Sequence, residues 1–163
     1  MSNPNLNDPE FDELREHPGF NARRARLGHQ LATQMLGASL WEIDPGEAAY
    51  PYHAHLAEEE LLFVLEGTPS LRTPSGWREV EPGEVLAFPR GEEGAHQLVN
   101  RSDGLVRFLA VSTQYGPDIV LQIDEGKVGA FERPPRGGGL RLWFRRDSAV
   151  PYFEGVEPPS RSA

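Results

Sequence analysis

The chain has 163 residues, of which 38% are hydrophobic and 25% charged, a composition that excludes an intrinsically disordered protein. Its net charge of −9 at pH 7 argues against a nucleic-acid partner, because most faces would repel a phosphate backbone. The lack of cysteine excludes disulfides, thiolate zinc sites and cysteine nucleophiles, so any metal must be held by imidazole and carboxylate groups.

The first 24 residues predict an N-terminal arm. They are rich in Asn, Asp, Pro and Glu, with one helical turn expected near Phe11–Arg15. They lack the basic and apolar regions of a secretory signal peptide. No stretch of the chain approaches the roughly 20 continuous apolar residues that a membrane span requires. We therefore expect a cytoplasmic protein with no membrane partner.

Residues 25–131 predict an all-β barrel domain. Short runs of β-branched, aromatic and leucine residues alternate there with Gly and Pro, which is typical of an antiparallel sandwich or barrel. Helical periodicity is weak throughout. A further strand pair is expected within residues 115–131. The other predicted strands are Leu27–Thr33, Ala38–Ile43, Tyr50–Leu56, Leu61–Leu65, Ser70–Thr73, Arg78–Val80, Val85–Phe88, His96–Asn100 and Val106–Ser112.

Residues 132–163 form the third predicted region, a C-terminal strap or tail. A linker rich in Pro, Gly and Arg is expected at residues 133–139. The apolar run Leu140–Phe144 follows it. We interpret this run as a strap across the barrel or as a dimer contact.

The residues that could carry chemistry begin with His53 and His55. Alternate residues of a β-strand point to the same face, so the two imidazoles project together, and a hairpin would bring Glu60 opposite them. His96 opens another predicted strand after a Gly-rich loop. Three imidazoles and one carboxylate suit a divalent transition metal such as Fe, Mn, Zn, Ni or Cu. The alternative is that His53 and His55 are solvated on a half-exposed strand.

At these residues the chain resembles the cupin superfamily. In the first cupin motif a His-x-His pair is followed by three or four residues, Glu, six residues and Gly. Here His53-x-His55 is followed by four residues, Glu60, six residues and Gly67. The resemblance thus singles out Glu60, and not its acidic neighbours Glu58 and Glu59, as the carboxylate ligand.

The second cupin motif is also present. Gly83 is followed by five residues and by Pro89-x-Gly91, and His96 is followed by three residues and Asn100. The loop between Gly91 and His96 is two residues longer than the family pattern. With the flanking strands, the likeness extends over about residues 26–112.

The resemblance implies a double-stranded β-helix, or jelly-roll, barrel that holds one divalent ion through His53, His55, Glu60 and His96. Two positions of a six-coordinate ion would stay open. Cupins similar in motif include dioxygenases, sugar isomerases, lyases and decarboxylases, so we expect a metal-dependent enzyme that acts on a small oxygen-bearing metabolite. A non-catalytic ligand-binding or sensor cupin is the alternative, although no DNA-binding helix-turn-helix accompanies the motifs. Cupins commonly pair, and we expect a homodimer.

Several other polar residues near the motifs have no assigned role in catalysis. Tyr50, Tyr52 and Glu58 are close in sequence to the ligands, but none is identified as a general acid or base. His17 and His29 lie outside both motifs. We expect these two histidines to be structural or exposed.

Overall fold

The computed structural model of the chain describes residues 3–132 and 139–159. Nearly all of its regular structure is extended, which confirms the predicted all-β class. One turn of helix, α1, spans Leu27–Gln30. The strands are β1 (Glu13–Arg15), β2 (Ala22–Ala25), β3 (Leu36–Ile43), β4 (His53–His55), β5 (Glu60–Glu66), β6 (Ser70–Thr73), β7 (Gly76–Glu79), β8 (Val85–Phe88), β9 (Gln97–Val99), β10 (Val106–Thr113), β11 (Asp118–Gln122), β12 (Lys127–Phe131) and β13 (Arg141–Arg145).

The strands form two layers that share a core. The first layer is a six-stranded antiparallel sheet with the order β1-β2-β3-β10-β5-β8. The second consists of a four-stranded sheet, β13-β12-β11-β4, and a three-stranded sheet, β7-β6-β9. A bridge between His53 and His96 joins these two smaller sheets. The strand that carries two predicted ligands therefore lies beside the segment that carries a third.

The hydrophobic core fills the barrel where β3 ends and β10 begins. Ile43 and Trp41 of β3 are buried there against Val106 and Phe108 of β10 and Leu98 of β9. The Phe108 ring stacks on Trp41 with centroids 6.1 Å apart. Complete burial of one such side chain stabilises the fold by roughly 1.5–3 kcal/mol. Toward the opposite ends of the same strands the inward-facing residues are small or polar, and they leave a cavity.

Most of the strands predicted from the sequence are present. Ser70–Thr73 and Val85–Phe88 have the predicted bounds, as β6 and β8. The strand expected at residues 106–112 is β10, which is one residue longer. The strand pair expected within residues 115–131 is the antiparallel pair β11 and β12. The boundaries of the three predicted regions stay a prediction.

The helical turn predicted near Phe11–Arg15 is wrong. Glu13–Arg15 and Ala22–Ala25 are instead the strands β1 and β2, which extend the six-stranded sheet beside β3. The polar sequence conceals these strands because the residues of β2 that are buried are Ala22 and Ala25, with two arginines between them. Arginine stems can cover an apolar surface without giving an apolar sequence pattern.

The strand predicted at Leu27–Thr33 is also wrong, since this segment begins with α1. The backbone N–H of Gln30 donates to the carbonyl oxygen of Arg26, as in a helical turn. The segment connects β2 to its antiparallel neighbour β3 and must therefore reverse the chain direction. No helix within the described residues has the length and hydropathy to cross a membrane.

The C-terminal region adds an edge strand. The linker predicted at residues 133–139 lies, except for Gly139, outside the described residues. After it, the apolar run Leu140–Phe144 overlaps β13, which pairs with β12 at the end of the four-stranded sheet. All five residues of β13 are exposed.

Candidate metal centre

The four predicted ligands lie together in the wall of the cavity. Nε2 of His53 is 3.1 Å from Nε2 of His55. Oε2 of Glu60 is 3.6 Å from Nε2 of His55 and 3.3 Å from Nε2 of His96. Neighbouring ligand atoms bound at ~2.1 Å to one ion are roughly 3.0–3.4 Å apart. In these three pairs the spacing is that of ligand atoms that could share an ion. The ligand atoms of His53, Glu60 and His96 all lie within 4.8 Å of one another, and those of His55, Glu58 and Asp118 form a second such group.

Hydrogen bonds to the backbone fix the orientation of two of the imidazoles. Nδ1 of His53 is 3.0 Å from the carbonyl oxygen of Pro51, and Nδ1 of His96 is 3.0 Å from that of Gly94. A carbonyl oxygen only accepts hydrogen bonds, so in both rings Nδ1 donates and Nε2 presents its lone pair to the centre. This is the arrangement usual for metal-binding histidines.

His55 is held by a buried carboxylate. Its Nδ1 lies 2.5 Å from Oδ2 of Asp118, a residue with no exposed surface. The other oxygen of Asp118 accepts the backbone N–H of Ala57 at 3.1 Å. Glu58 is also buried, with Oε2 3.9 Å from Nδ1 of His55. Asp118 therefore fixes both the position of the ring and the tautomer that leaves Nε2 free to bind.

The pKa values of His53 and His96 favour the neutral imidazole that a cation requires, whereas that of His55 is shifted the other way. Burial, together with the neighbouring His96 and His55, lowers the pKa of His53 to about 3. Burial likewise lowers the pKa of His96 to about 3. Burial also acts to lower the pKa of His55, but the hydrogen bond to Asp118 and the charge of Glu60 outweigh it and raise that pKa. Since Nδ1 donates in both His53 and His55, their two Nε2 atoms can lie 3.1 Å apart with either a proton or a metal ion between them.

The long loop of the second motif delivers His96 to the centre. Residues Glu92–Gly94 form a 3₁₀ turn, and the N–H of Gly91 donates to the carbonyl oxygen of His55 at 2.7 Å. A Cβ atom on Gly94 would lie 1.8 Å from the carbonyl oxygen of Pro89. The turn therefore needs glycine at position 94, whose own carbonyl accepts the hydrogen bond from His96.

The ligand atoms line a cavity of about 670 Å³, which is within the usual range for small-molecule sites. Phe88 stacks on the His96 ring at 3.8 Å and closes one side of the centre. Tyr50 lines the cavity, with its ring 4.7 Å from that of His53. Tyr52 and Glu58, both described by the structure, do not line the cavity.

Comparisons with known proteins identify the family of this fold. Residues 39–112 match the family model of the cupin domain. A sugar phosphate isomerase from the cupin superfamily of Silicibacter pomeroyi has a similar structure, with a TM-score of 0.76 and 25% identity over 94% of this chain and 99% of that chain. Residues 39–112 are therefore a cupin domain, and the chain has the fold of the cupin superfamily. Its predicted jelly-roll barrel is therefore confirmed.

Two further structures resemble this cupin. The polyketide cyclase RemF of Streptomyces resistomycificus has a TM-score of 0.58 and 28% identity over 69% of this chain and 79% of that chain. A proposed sugar phosphate isomerase of Acidithiobacillus ferrooxidans has a TM-score of 0.71, with 23% identity over 82% of each chain. No curated protein sequence matches this cupin.

Several residues of the cupin site were not predicted from the sequence. Asp118 follows the second motif by eighteen positions and reaches His55 only through the pairing of β11 with β4. Arg15 and Arg24 line the cavity from β1 and β2. His29, which we expected to be structural or exposed, is exposed on α1 and also contributes to the cavity lining.

Proposed function

We propose that this cupin is a metal-dependent enzyme that isomerises a small metabolite with adjacent hydroxyl and carbonyl groups, such as a sugar. One divalent ion, drawn from Fe, Mn, Zn and Ni, would be held by His53, His55, Glu60 and His96. The proposal depends chiefly on one observation. Three imidazole nitrogens and one carboxylate oxygen line one cavity, and three pairs of these atoms lie 3.1–3.6 Å apart.

The donor set fits a transition-metal ion and leaves room for a substrate. Imidazole and carboxylate ligands are those of catalytic Zn, Mn, Fe and Ni sites. Four protein ligands leave two positions of a six-coordinate ion for substrate oxygens. A divalent ion at this point would supply Lewis acidity that stabilises negative charge on a substrate oxygen.

The protein's own residues would fix the ligands and shape the cavity. Asp118 and the backbone carbonyls of Pro51 and Gly94 hold the three imidazoles with Nε2 directed inward. The rings of Phe88 and Tyr50 exclude water from the sides of His96 and His53. Side-chain hydroxyl and amide groups on the cavity wall can bind substrate hydroxyls; they belong to Ser39, Ser112, Gln114 and Gln122.

An isomerase is favoured over other cupin reactions by the extent of one likeness. The S. pomeroyi protein is described as a sugar phosphate isomerase and matches nearly the full length of this cupin. The likeness to the polyketide cyclase covers 69% of the chain. A cyclase or lyase reaction on a similar oxygen-bearing compound is the second choice.

The test begins with elemental analysis of protein purified without added metal. We expect close to one transition-metal ion for each chain. Aldose and ketose phosphates are then incubated with the protein in D₂O, and NMR follows interconversion and loss of the proton next to the carbonyl. Chelation should abolish turnover, and the metal found by analysis should restore it. A bound ion with no turnover of any hydroxy-carbonyl compound would instead favour the non-catalytic sensor.

A homodimer through β13 is also proposed. This strand lies at the edge of its sheet, where unpaired backbone groups can bind the same strand of a second copy about a two-fold axis. Leu142 and Phe144 are 42% and 47% exposed, and a second copy would cover them. Sedimentation should give a dimer for the wild type and a monomer for Leu142→Lys. A cytoplasmic location belongs to the same proposal and can be tested by cell fractionation.

A further inference from the structure

The cavity wall formed by the N-terminal strands carries positive charge, although the whole chain has a net charge of −9. Among residues 3–132 and 139–159, four arginines line the cavity: Arg15, Arg24, Arg26 and Arg141. Its acidic lining residues are Glu13, Glu60 and Glu132. Since Glu60 belongs to the candidate metal centre, the rest of the wall, as far as the structure describes it, has more cations than anions. Neither cupin motif contains any of these arginines.

Two of the arginines are held in fixed positions around one aromatic ring. The Cζ atoms of Arg15 and Arg24 lie 4.5 and 4.9 Å from the ring centroid of Trp41. Arg15 donates through Nη1 to the carbonyl oxygen of Ala49 at 2.7 Å, and Arg24 donates through Nε to the hydroxyl of Ser39 at 2.9 Å. These contacts orient both guanidinium groups before any ligand binds, which lowers the entropic cost of binding.

Arg15 and Arg24 share an acidic neighbour, Glu13. Glu13 contacts Arg15 at 3.1 Å and Arg24 at 3.3 Å, and it also lies 3.9 Å from Arg26. Glu13 therefore contacts two guanidinium groups closely, whereas Arg26 pairs more closely with Asp12, at 3.3 Å. Within residues 3–132 and 139–159, Nη2 of Arg15 has no hydrogen-bond or ion-pair partner. A guanidinium presents a planar fork of N–H donors that matches phosphate and carboxylate oxygens.

The arginines belong to the same cavity as the metal ligands and are linked to them by aromatic rings. Trp41, which contacts both arginines, lies 5.9 Å from the ring of Tyr50. Tyr50 in turn lies 4.7 Å from the ring of His53. Since Arg15 and Arg24 line the same cavity as the histidines, a single small molecule in that cavity could contact both.

We propose that Arg15 and Arg24 form a subsite for an anionic group of the substrate, a phosphate or a carboxylate, whose other end carries the oxygens directed to the metal centre. This inference rests on the proposed function, which supplies the hydroxyl and carbonyl oxygens at the other end of the substrate. It specifies the substrate as an anionic metabolite. It also gives the N-terminal strands a role in substrate selection.

The test is an NMR titration of full-length, nitrogen-15-labelled protein with inorganic phosphate and, separately, with acetate. The chain has three tryptophans, and their indole N–H signals report on different places. Trp41 lies beside the proposed subsite, whereas Trp77 is on β7, away from the cavity. We expect a saturable shift of the Trp41 signal with an unchanged Trp77 signal. The titration is repeated after chelation, so that anion binding to an ion is separated from binding to arginine.

The variants Arg15→Gln and Arg24→Gln should each weaken anion binding about tenfold or more, because a charge-assisted pair of hydrogen bonds is lost. Arg78→Gln is the matched control, since Arg78 pairs with Glu84 outside the cavity. Arg15→Lys and Arg24→Lys keep a positive charge near the Trp41 ring but lack the planar set of guanidinium N–H donors. Melting curves identify any variant that misfolds. These lysine variants should show intermediate affinity.

Saturation by phosphate assigns a phosphorylated substrate, and saturation by acetate assigns a carboxylic acid; either result supports the subsite. An unchanged Trp41 signal, or wild-type affinity in both folded glutamine variants, overturns it. Anion binding in a protein that binds no metal would leave the subsite intact while the proposed function fails. Metal-dependent turnover with unaltered kinetics in Arg15→Gln and Arg24→Gln would support the proposed function and overturn the anion subsite.

Discussion

The two ends of the cavity hold charge by different physical means. At the histidine end the side chains are buried: 3% of the His96 side chain and 11% of that of His55 are exposed. Backbone carbonyls and a buried carboxylate fix each ring. At the arginine end the side chains of Arg15 and Arg24 are 33% and 28% exposed. There a shared carboxylate and an aromatic ring hold the cations.

This difference indicates what each end requires of its surroundings. A metal centre depends on distances that differ by tenths of an ångström, so it needs rigid and neutral imidazoles with fixed tautomers. An anion subsite depends on charge and on a fork of donors, and it tolerates solvent. Substitutions at the histidine end should therefore act on metal binding, and those at the arginine end on anion binding or on the docking of the N-terminal strands.

The largest effect is expected from His53→Ala. It removes one of two imidazoles whose Nε2 atoms are 3.1 Å apart, and it leaves three donors for the ion. Metal affinity should fall by at least about a hundredfold, because loss of a direct ligand should cost more than the roughly 10–100-fold cost of losing a supporting group. Competition with a coloured chelator measures this affinity. His17→Ala, at an exposed histidine outside the cavity, should bind metal like the wild type, and equal affinity in both variants would rule out the proposed centre.

Asp118→Asn tests the support behind His55. The amide keeps the size of the side chain but removes the negative charge of Asp118, whose Oδ2 accepts the hydrogen bond from Nδ1 of His55 at 2.5 Å. Metal affinity should fall about 10–100-fold, the usual effect of losing such a supporting carboxylate. Asp124→Asn is the control, because Asp124 pairs with Arg72 on the exposed surface. Wild-type metal affinity in Asp118→Asn would show that His55 does not need the charge of Asp118 in order to bind the ion.

Gly94→Ala tests whether the long loop positions His96. The new methyl group would lie 1.8 Å from the carbonyl oxygen of Pro89, which is backbone and cannot rotate away. We expect the loop to shift, with a loss of about 1–3 kcal/mol in the free energy of unfolding and weaker metal binding. Gly116→Ala, where the added methyl group meets open space, should change neither. Thermal melting and the chelator competition distinguish the two variants.

The same contrast explains how much of the site could be predicted from the sequence. His53, His55 and Glu60 are close in sequence, and strand alternation alone brings the two imidazoles together. His96 could be placed through the spacing of the second motif. Asp118 could not, because its contact with His55 depends on which strands pair across the barrel.

The fold shows a similar limit. Strands with apolar runs bounded by Gly and Pro were predicted with accurate bounds, as for β6 and β8. The strands β1 and β2 were missed, because Arg23 and Arg24 separate the two buried alanines of β2 and leave no apolar period. The arginine end of the cavity was missed with them.

The smallest effect is expected at the arginine end on acidification. Burial acts to raise the pKa of Glu13, but the charges of Arg24 and Arg15 outweigh it, so the pKa lies below its ordinary value of 4.5. A carboxyl whose pKa is lowered by folding stabilises the native state above its unfolded pKa, and this contribution is lost as the pH falls through the folded value. Wild-type stability should therefore decline below about pH 4.5, and Glu13→Gln should remove part of that decline, worth less than about 1 kcal/mol. Thermal melting between pH 3 and 7 measures it, with the exposed neighbour Glu16→Gln as the control. Glu13→Gln and Glu16→Gln could reduce the loss of stability below pH 4.5 equally. In that case the contacts of Glu13 with the arginines do not anchor the N-terminal strands, and the Trp41 ring and the backbone hold the arginine end.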